Sequence, residues 1–321
     1  MKPFAYAAIA TSLSLLFTDA GAQSYPSKPL RIVLPVPPGG VADVAARPLA
    51  HDMTQILGQQ VILDYRPGAT GAIGIGVAAK SPADGYTLLW GSTNTMCMGP
   101  AYYGKTPPIG EFTAITPVIV FHNVLVVHPA LPARTTQQLV KLAKARAEKL
   151  NFGSAGTGSV NHLTAGMFEH LTGVKVNHVA YKGGGPALTD VMGGHVDGMF
   201  ATSPSAVTHL KSGKLKALMI TSEKRVAALP EVPSAPEAGI PGLVVATWNG
   251  VFAPAGTPPA IVGQLNTTIV KAAGGKDMTD RMTSVAAQVY TLAPEKFGAV
   301  VRDDYARWAA VVKATGIKGG E

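Results

Sequence analysis

One local device occurs twice in this chain and narrows its fold more than any other feature. Leu30-Arg31-Ile32-Val33-Leu34 reads as a buried strand, runs into Pro35-Val36-Pro37-Pro38-Gly39-Gly40, and is followed by a helical pattern. Asn151-Phe152-Gly153 runs likewise into Ser154-Ala155-Gly156-Thr157-Gly158-Ser159 and then into a second helical pattern. A strand, a glycine-rich turn and a helix N-terminus together present unpaired backbone N–H groups and the positive end of a helix dipole. Such a place suits an anion, for example a carboxylate. Two of them in different halves of the chain suggest two lobes closing on one small anionic ligand.

Residues 1–22 have the make-up of an export leader. Lys2 gives the positive start, Ala5 to Phe17 is almost free of polar groups, and Ala20-Gly21-Ala22 offers the small-x-small pattern of a cleavage site. The apolar run is too short to span a bilayer. We expect cleavage near Ala22-Gln23 and a periplasmic, soluble mature chain, because no second stretch of spanning length lacks charges, glycine or proline. The remainder of about 300 residues exceeds one ordinary hydrophobic core, so two lobes are the default. Hydrophobic residues at 47% and charged residues at 14% fit a well-packed α/β protein and argue against disorder. The single cysteine, Cys97, cannot form an internal disulfide, and in the apolar run Met96-Cys97-Met98 it is expected to be buried and inert. The net charge of +8 raises the question of nucleic acid. The basic residues are scattered and do not interleave with aromatics, so no nucleic-acid partner is expected. A general positive field favours small anions instead.

Apolar residues Val41, Ala45, Leu49, Met53 and Ile56 recur at helical spacing, and Gly58 stops the run. Val61-Ile62-Leu63 reads as a strand, then comes the turn Arg66-Pro67-Gly68-Ala69-Thr70-Gly71 and another helix. Tyr86 to Trp90 is a strand ending in the polar loop Gly91-Ser92-Thr93-Asn94-Thr95. This alternation implies βαβ units and a parallel sheet. Phe121–Val127 and Val244–Phe252 read as two strands crossing between lobes, with Thr135 or Thr136 capping the helix after the first. Further strands are expected at Val176–Ala180, Val196–Phe200 and Leu215–Ile220, with helices starting near Pro186 and Pro204. Tail helices are expected at about Pro258–Ala273 and Pro294–Ala314. The division that follows is a leader at 1–22, a first lobe of 23–123 plus 247–321, and a second lobe of 124–246. The fold expected is α/β, a two-lobed Venus-flytrap arrangement with a mainly parallel sheet flanked by helices in each lobe. Two extended crossings make a hinge and so imply closure around a ligand.

Of the polar residues in these turns, the Gly39 and Gly40 amides are placed against an anion. Asp43 is a first-turn carboxylate of the kind a helix dipole favours. No Gly-Lys-Ser/Thr follows, so the first turn is not a P-loop, nor is it Gly-x-Gly-x-x-Gly. Among Ser154, Thr157 and Ser159 one must cap the helix, with Ser159 best placed, leaving the others for a ligand. His162 could serve Ser159 or Ser154 as a hydrolase base, but no Gly-x-Ser-x-Gly surrounds either serine. His162 and His170 lie ~12 Å apart along one helix. No Cys or carboxylate joins His178, so no metal site is expected. Asp190 and Asp197 look like a helix end and a strand start. Trp248 and Tyr181 are candidates for a pocket wall or for plain packing.

These residues, taken in order, resemble a known family. The segments are Leu34 to Arg47, Arg66-Pro67-Gly68-Ala69-x-Gly71, Ala83-Asp84-Gly85-Tyr86-Thr87-Leu88-Leu89 and Gly91-Ser92, then Gly153-Ser154-x-Gly156-x-Gly158-Ser159-x-x-His162-Leu163. Tyr181-Lys182-Gly183, Gly193-Gly194-x-Val196-Asp197 and Phe252 to Pro258 continue the match. They resemble the Bug proteins, extracytoplasmic solute-binding receptors of tripartite tricarboxylate transport systems, over nearly all of the mature chain. The resemblance implies a receptor without catalysis or cofactor that holds a mono-, di- or tricarboxylate, aromatic acids included. Its implied partner is a membrane permease or, in some relatives, a sensor kinase. By position, Pro38, Gly39, Gly40 and Asp43 would line one side, with Ser92 and Thr93 nearby. Ser154, Gly156, Thr157 and Ser159 would stand opposite, and Tyr181 and Asp197 at the rim. Two departures stand out: Ala42 replaces a common Thr or Ser, and Tyr65 stands where Asn commonly precedes Arg66. Both make the first half-site less polar and tilt the expected ligand toward a monocarboxylate or aromatic acid.

Overall fold

The computed structural model describes residues 25–317; the leader expected at 1–22 and its cleavage site lie outside them. The first lobe begins with β1 (Leu30–Leu34), α1 (Val41–Leu57), β2 (Val61–Tyr65), α2 (Ala72–Ala79) and β3 (Thr87–Ser92). A π-turn at Asn94–Met98 leads into the short α3 (Gly99–Tyr102) and the 16-residue β4 (Phe112–Val127). The second lobe follows as α4 (Thr136–Ala145), β5 (Leu150–Ser154), α5 (Val160–Thr172), β6 (Val176–Ala180), α6 (Gly184–Met192), β7 (Gly198–Thr202), α7 (Ser203–Lys211) and β8 (Lys216–Ile220). The chain then returns through β9 (Ala246–Pro254), α8 (Pro259–Ala273), α9 (Lys276–Ser284), β10 (Ala287–Val289) and α10 (Pro294–Thr315).

Local chemistry accounts for the main boundaries. Ala42, Ala45, Leu49 and Met53 bury one stripe of α1, and Gly58 ends it in the left-handed region at φ 64°. Ile56, expected on that stripe, is 37% exposed. Thr135 caps α4 by accepting the Gln138 N–H at 3.2 Å. Ser159 caps α5 and Gly173 closes it at φ 67°. Cys97 is fully buried and burial pushes its thiol pKa up, with the Asp304 charge adding to the shift.

The strands run in the order β2-β1-β3-β9-β4-β7-β5-β6, with β8 and β10 also on β4. The first sheet pairs β1 in parallel with β2 and β3, while β9 lies antiparallel between β3 and β4. In the second sheet β5 is parallel to β6 and β7, and β4 is antiparallel to β7 and β8. The sheets are therefore mixed, and two expectations about the crossings are revised. The first crossing is not a short strand at Phe121–Val127 but the C-terminal part of β4, whose earlier residues pair with β9 around Pro117 with a shifted register. The second, placed at Val244–Phe252, is not a crossing strand, because all of β9 pairs within the first sheet. α9 and β10 escaped sequence reading because only Met278 and Met282 of α9 are buried and β10 has three residues.

Adjacent residues of β4 belong to different sheets: His122 pairs with Ala246, and Asn123 with Thr202. His122 Nδ1 lies 3.1 Å from both the Thr221 and the Val245 carbonyl oxygens, tying the outgoing and returning chain together. Behind the strands, α10 reaches from the first lobe onto α5. A Cβ at Gly166 would fall 1.6 Å from Ile317 Cδ1, so the bare glycine leaves room for that side chain against α5. One buried cluster joins Met96, Cys97, Tyr102 and Trp308 of the first lobe to Phe152, Leu163 and Phe168 of the second.

Candidate functional site

A cleft of about 400 Å³ opens between the lobes where the strand ends of both sheets face each other. Larger depressions of about 670 and 830 Å³ each belong to one lobe only, between α4 and α5 and between α8 and α10. The interlobe cleft gathers both glycine-rich turns. From the first lobe it takes Gly39, Gly40, Val41 and Val44 at the head of α1, and Ser92, Asn94 and Thr95 after β3. From the second it takes Ala155, then Ser159, Val160 and Asn161 at the head of α5, Gly184 and Gly185 at the head of α6, and Thr202, Pro204 and Ser205 at the head of α7.

Four helix N-termini therefore converge on one space. Gly40, Gly183 and Thr202 cap α1, α6 and α7 without any side-chain hydrogen bond to the helix. Their first N–H groups and dipoles make the cleft a concentration of partial positive charge. No arginine, lysine, aspartate or glutamate lines it. Val36, Val41, Val44, Val160 and Met199 give it apolar walls. Such a place binds an anion by amides and hydroxyls and leaves room for an apolar body.

The first turn is steadied by Asp43. Gly39 stands at φ 86°, and its N–H donates to Asp43 Oδ2. Arg47 Nη2 approaches the same oxygen at 3.1 Å, and the Tyr65 hydroxyl donates to Oδ1 at 2.6 Å. Burial pushes the Asp43 carboxyl up, yet the Tyr65, Gly39 and Arg47 donors outweigh it and hold the group below the usual carboxylate value. The Tyr65 phenol is pushed up to about 12 by burial and by its bond to Asp43.

The second turn is held by neutral groups. Ser154 Oγ accepts the Gly156 N–H at 3.1 Å and contacts His178 Nε2. His178 stacks on His162 with ring centroids 3.8 Å apart, and His162 Nδ1 accepts the Gly158 N–H at 3.2 Å. Burial, then the neighbouring His178, push His162 down to about 4; burial lowers His178 as well, against the opposing Glu169. Asn161, 3% exposed, accepts the Ala155 N–H and donates to the Phe200 carbonyl, pinning the turn to β7.

Of the residues singled out in the sequence, Gly39, Gly40, Ser92 and Ser159 line this cleft. The others do not, for identifiable reasons. Pro38 is exposed beside it. The Gly39 N–H and the Asp43 carboxylate satisfy each other, leaving Gly40 and the first helical residues to face an anion. Thr93 is fully buried and its hydroxyl accepts the Trp248 N–H at 2.9 Å. Ser154 is 1% exposed and turned to His178. Gly156, at φ 124°, backs onto the Tyr181 carbonyl, while Thr157 faces the Tyr103 hydroxyl of the first lobe. Tyr181 donates to Asp190 at 2.6 Å, and Asp197 accepts the Asn151 N–H at 2.7 Å beside Arg146. Trp248 is buried, with its Nε1 on Asp304.

Sequence reading missed Asn94, Thr95, Asn161, Gly184, Gly185, Thr202 and Ser205 as site residues. Gly183-Gly184-Gly185 ahead of a helix is a third use of the same device, and Thr202-Ser203-Pro204-Ser205 is a strand end with proline in the first helical turn. The hydrolase pairing of Ser159 or Ser154 with His162 is not formed. Ser159 caps α5, Ser154 meets His178 outside the cleft, and the His162 ring faces Gly158. Among the described residues, no group of three His, Cys, Asp or Glu is placed to hold a metal ion, and no helix is long and apolar enough to cross a membrane.

The chain is similar to known proteins over most of its length. A family model described as tripartite tricarboxylate transporter family receptor matches residues 45–317. Protein BugT of Bordetella pertussis is 36% identical over 300 residues, 92% of each chain. An R. palustris protein solved with adipate superposes with a TM-score of 0.86 at 32% identity, covering 92% of this chain and 99% of that one. MatC from Rhodopseudomonas palustris, solved with bound malate, gives 0.82 at 31% identity over 90% and 100% of the two chains.

Proposed function

This chain belongs to the tripartite tricarboxylate transporter receptor family, and on that premise we propose that it captures a small organic carboxylate between its lobes for delivery to a membrane permease. Members of this family are solute receptors and not enzymes. The observation that carries the reading is the convergence of four helix N-termini on a cleft with no ionised side chain. A carboxylate there receives N–H and hydroxyl donors from both lobes, so binding favours the closed arrangement. Gly40, Ser92 and Ser159 are assigned to ligand contact, joined by Asn94, Gly184, Thr202 and Ser205. The ligands in the two R. palustris structures, adipate and malate, support the class of carboxylate. The apolar walls favour a carboxylate whose body carries few hydroxyls over malate itself.

The lobes divide at a hinge between His122 and Asn123 and between Val245 and Ala246, one residue before the bounds read from the sequence at each crossing. The protein works in the periplasm after cleavage near Ala22-Gln23, which N-terminal sequencing of the exported protein checks. A thermal-shift screen of adipate, malate, benzoate, glucose and putrescine tests the function. A ligand at 100 times its Kd stabilises the fold by ~2.7 kcal/mol, a readable shift. If glucose or putrescine shifts the melting point and no carboxylate does, the reading is wrong. A pull-down from membranes that recovers a sensor kinase and no permease replaces the transport partner.

A further inference from the structure

The first turn of α1 holds an apparent contradiction: a site for an anion carries a carboxylate, Asp43, in the same helical turn that lines the cleft. Its side chain is only 10% exposed. An ionised carboxylate this close to a bound anion repels it, and within a partly buried site the interaction reaches across several ångströms with little screening. Replacing that carboxylate is not free either, since Gly39 at φ 86° depends on it for its N–H partner.

We propose that Tyr65 is a positioning residue for ligand capture: with Arg47 it draws the Asp43 carboxylate away from the cleft and covers its charge. The proposal rests on the receptor reading and deepens it. Three donors on three different segments meet on this one group. The Gly39 N–H and Arg47 Nη2 reach Oδ2, and the Tyr65 hydroxyl takes Oδ1 at 2.6 Å. The Arg47 guanidinium also lies 5.6 Å from the centre of the Tyr65 ring, so the cation is held over the aromatic face and on the carboxylate together. Neither Tyr65 nor Arg47 lines the cleft; both lie at a separate shallow depression on the outer side of α1 with Ala50 and Thr54. Tyr65 is the last residue of β2, whose pairing with Leu34 of β1 sets its ring next to the glycine-rich turn. The tyrosine that seemed to make the half-site less polar thus acts behind it, on a charge.

The test is a comparison of Tyr65→Phe, Asp43→Asn and the double variant with the unaltered protein. Calorimetric titration uses adipate, malate and benzoate as probes at about 0.05 M and about 0.5 M NaCl, where the Debye length falls from about 14 Å to about 4 Å. Tyr65→Phe is expected to weaken probe binding about five- to tenfold in low salt and by a smaller ratio in high salt. Asp43→Asn keeps an oxygen for the Gly39 N–H while removing the charge, so the double variant is expected to return to within about twofold of the unaltered protein. A merely structural tyrosine predicts the opposite: the defect persists in high salt and is not rescued by Asp43→Asn. That result, or unchanged binding in Tyr65→Phe, overturns the proposal. If the unaltered protein binds none of the three carboxylates, the receptor reading falls and this inference falls with it, whereas normal binding with silent variants sinks the inference alone. Melting curves of each variant separate a lost fold from a lost affinity, and Tyr65→His offers a second donor-bearing ring should Tyr65→Phe fail to fold. Its binding in low salt is expected to fall below that of the unaltered protein and to recover in high salt, and a defect that high salt leaves unchanged counts against the proposal.

Discussion

In the first glycine-rich turn Gly39 and Gly40 are exposed and steadied by an ionised carboxylate, whereas in the second Gly158 is buried and backed by two uncharged imidazoles. The local sequence recipe is the same, a strand followed by glycines and a helix. The support differs because the surroundings differ. The head of α1 lies beside the edge strand β2, where the largely exposed Arg47 brings a charge and Tyr65 a neutral hydroxyl. The head of α5 packs against the first lobe: Tyr102 sets its ring edge on His162, and Tyr103 reaches Thr157. A charge there would be desolvated. One half-site is therefore expected to answer to salt and the other to acid.

The sharpest way to break this comparison is to add one methyl group to each turn. A Cβ at Gly158 would sit 2.7 Å from Tyr102 Cδ1, and the residue stands at φ 72°. Gly158→Ala should therefore lose about 2–4 kcal/mol of stability, from left-handed backbone strain and overpacking, as read by urea unfolding. At Gly40 nothing lies within 4 Å of a new Cβ and φ is −91°. Gly40→Ala should keep the melting temperature and lower carboxylate affinity about tenfold, equivalent to about 1.4 kcal/mol. Equal stability losses in the two variants would erase the distinction between a buried and an open turn.

Acid sharpens the comparison next. His162 is pushed from its ordinary value near 6.5 down to about 4, so the folded state favours the neutral ring. Its contribution is fully present above about pH 6.5 and is lost as pH falls toward 4. Protonation turns Nδ1 from an acceptor for Gly158 into a donor and sets a cation against the stacked His178 ring. The melting temperature should fall through that window, and a His162→Gln variant should show a shallower fall. Asp43, held below its ordinary value, loses its contribution only below about pH 4. A melting temperature flat from pH 7 to pH 4 would remove the role given to the imidazoles. The smallest effect is expected at Arg66, whose Nε pairs with Asp64 at 2.9 Å on a half-exposed surface. Arg66→Ala should change stability by less than about 1 kcal/mol and leave carboxylate affinity alone.

What the sequence made legible follows the range of the interactions involved. The heads of α1 and α5 could be read because glycine, cap residue and apolar period sit within a dozen neighbouring positions. Ser159 as a cap and Gly58 as a stop are of the same kind. The role of Ser154 could not be read, since its partner His178 comes from the neighbouring strand β6 and only the parallel register brings them together. Asn94 was passed over because a π-turn, not a periodic pattern, turns its side chain toward the cleft. Gly184 and Thr202 reach the cleft because β5, β6 and β7 end on the same side, which is a property of the sheet. Tyr65 was seen as a departure from its relatives, yet its hydroxyl's target lies 22 residues away.

The shared strand β4 also fixes the order in which the molecule can be made. Phe112–Val127 leaves the ribosome well before β9, which covers the first half of the strand, and before β7 and β8, which flank the second. β7 and β8 can close the second half first, but until β9 has followed the first half of this hydrophobic strand keeps an open edge, beside a β3 that also lacks its neighbour. Such an edge pairs readily with another nascent chain. A product that stops before Ala246 therefore leaves the first sheet split, with β3 and the first half of β4 lacking the strand that joins them.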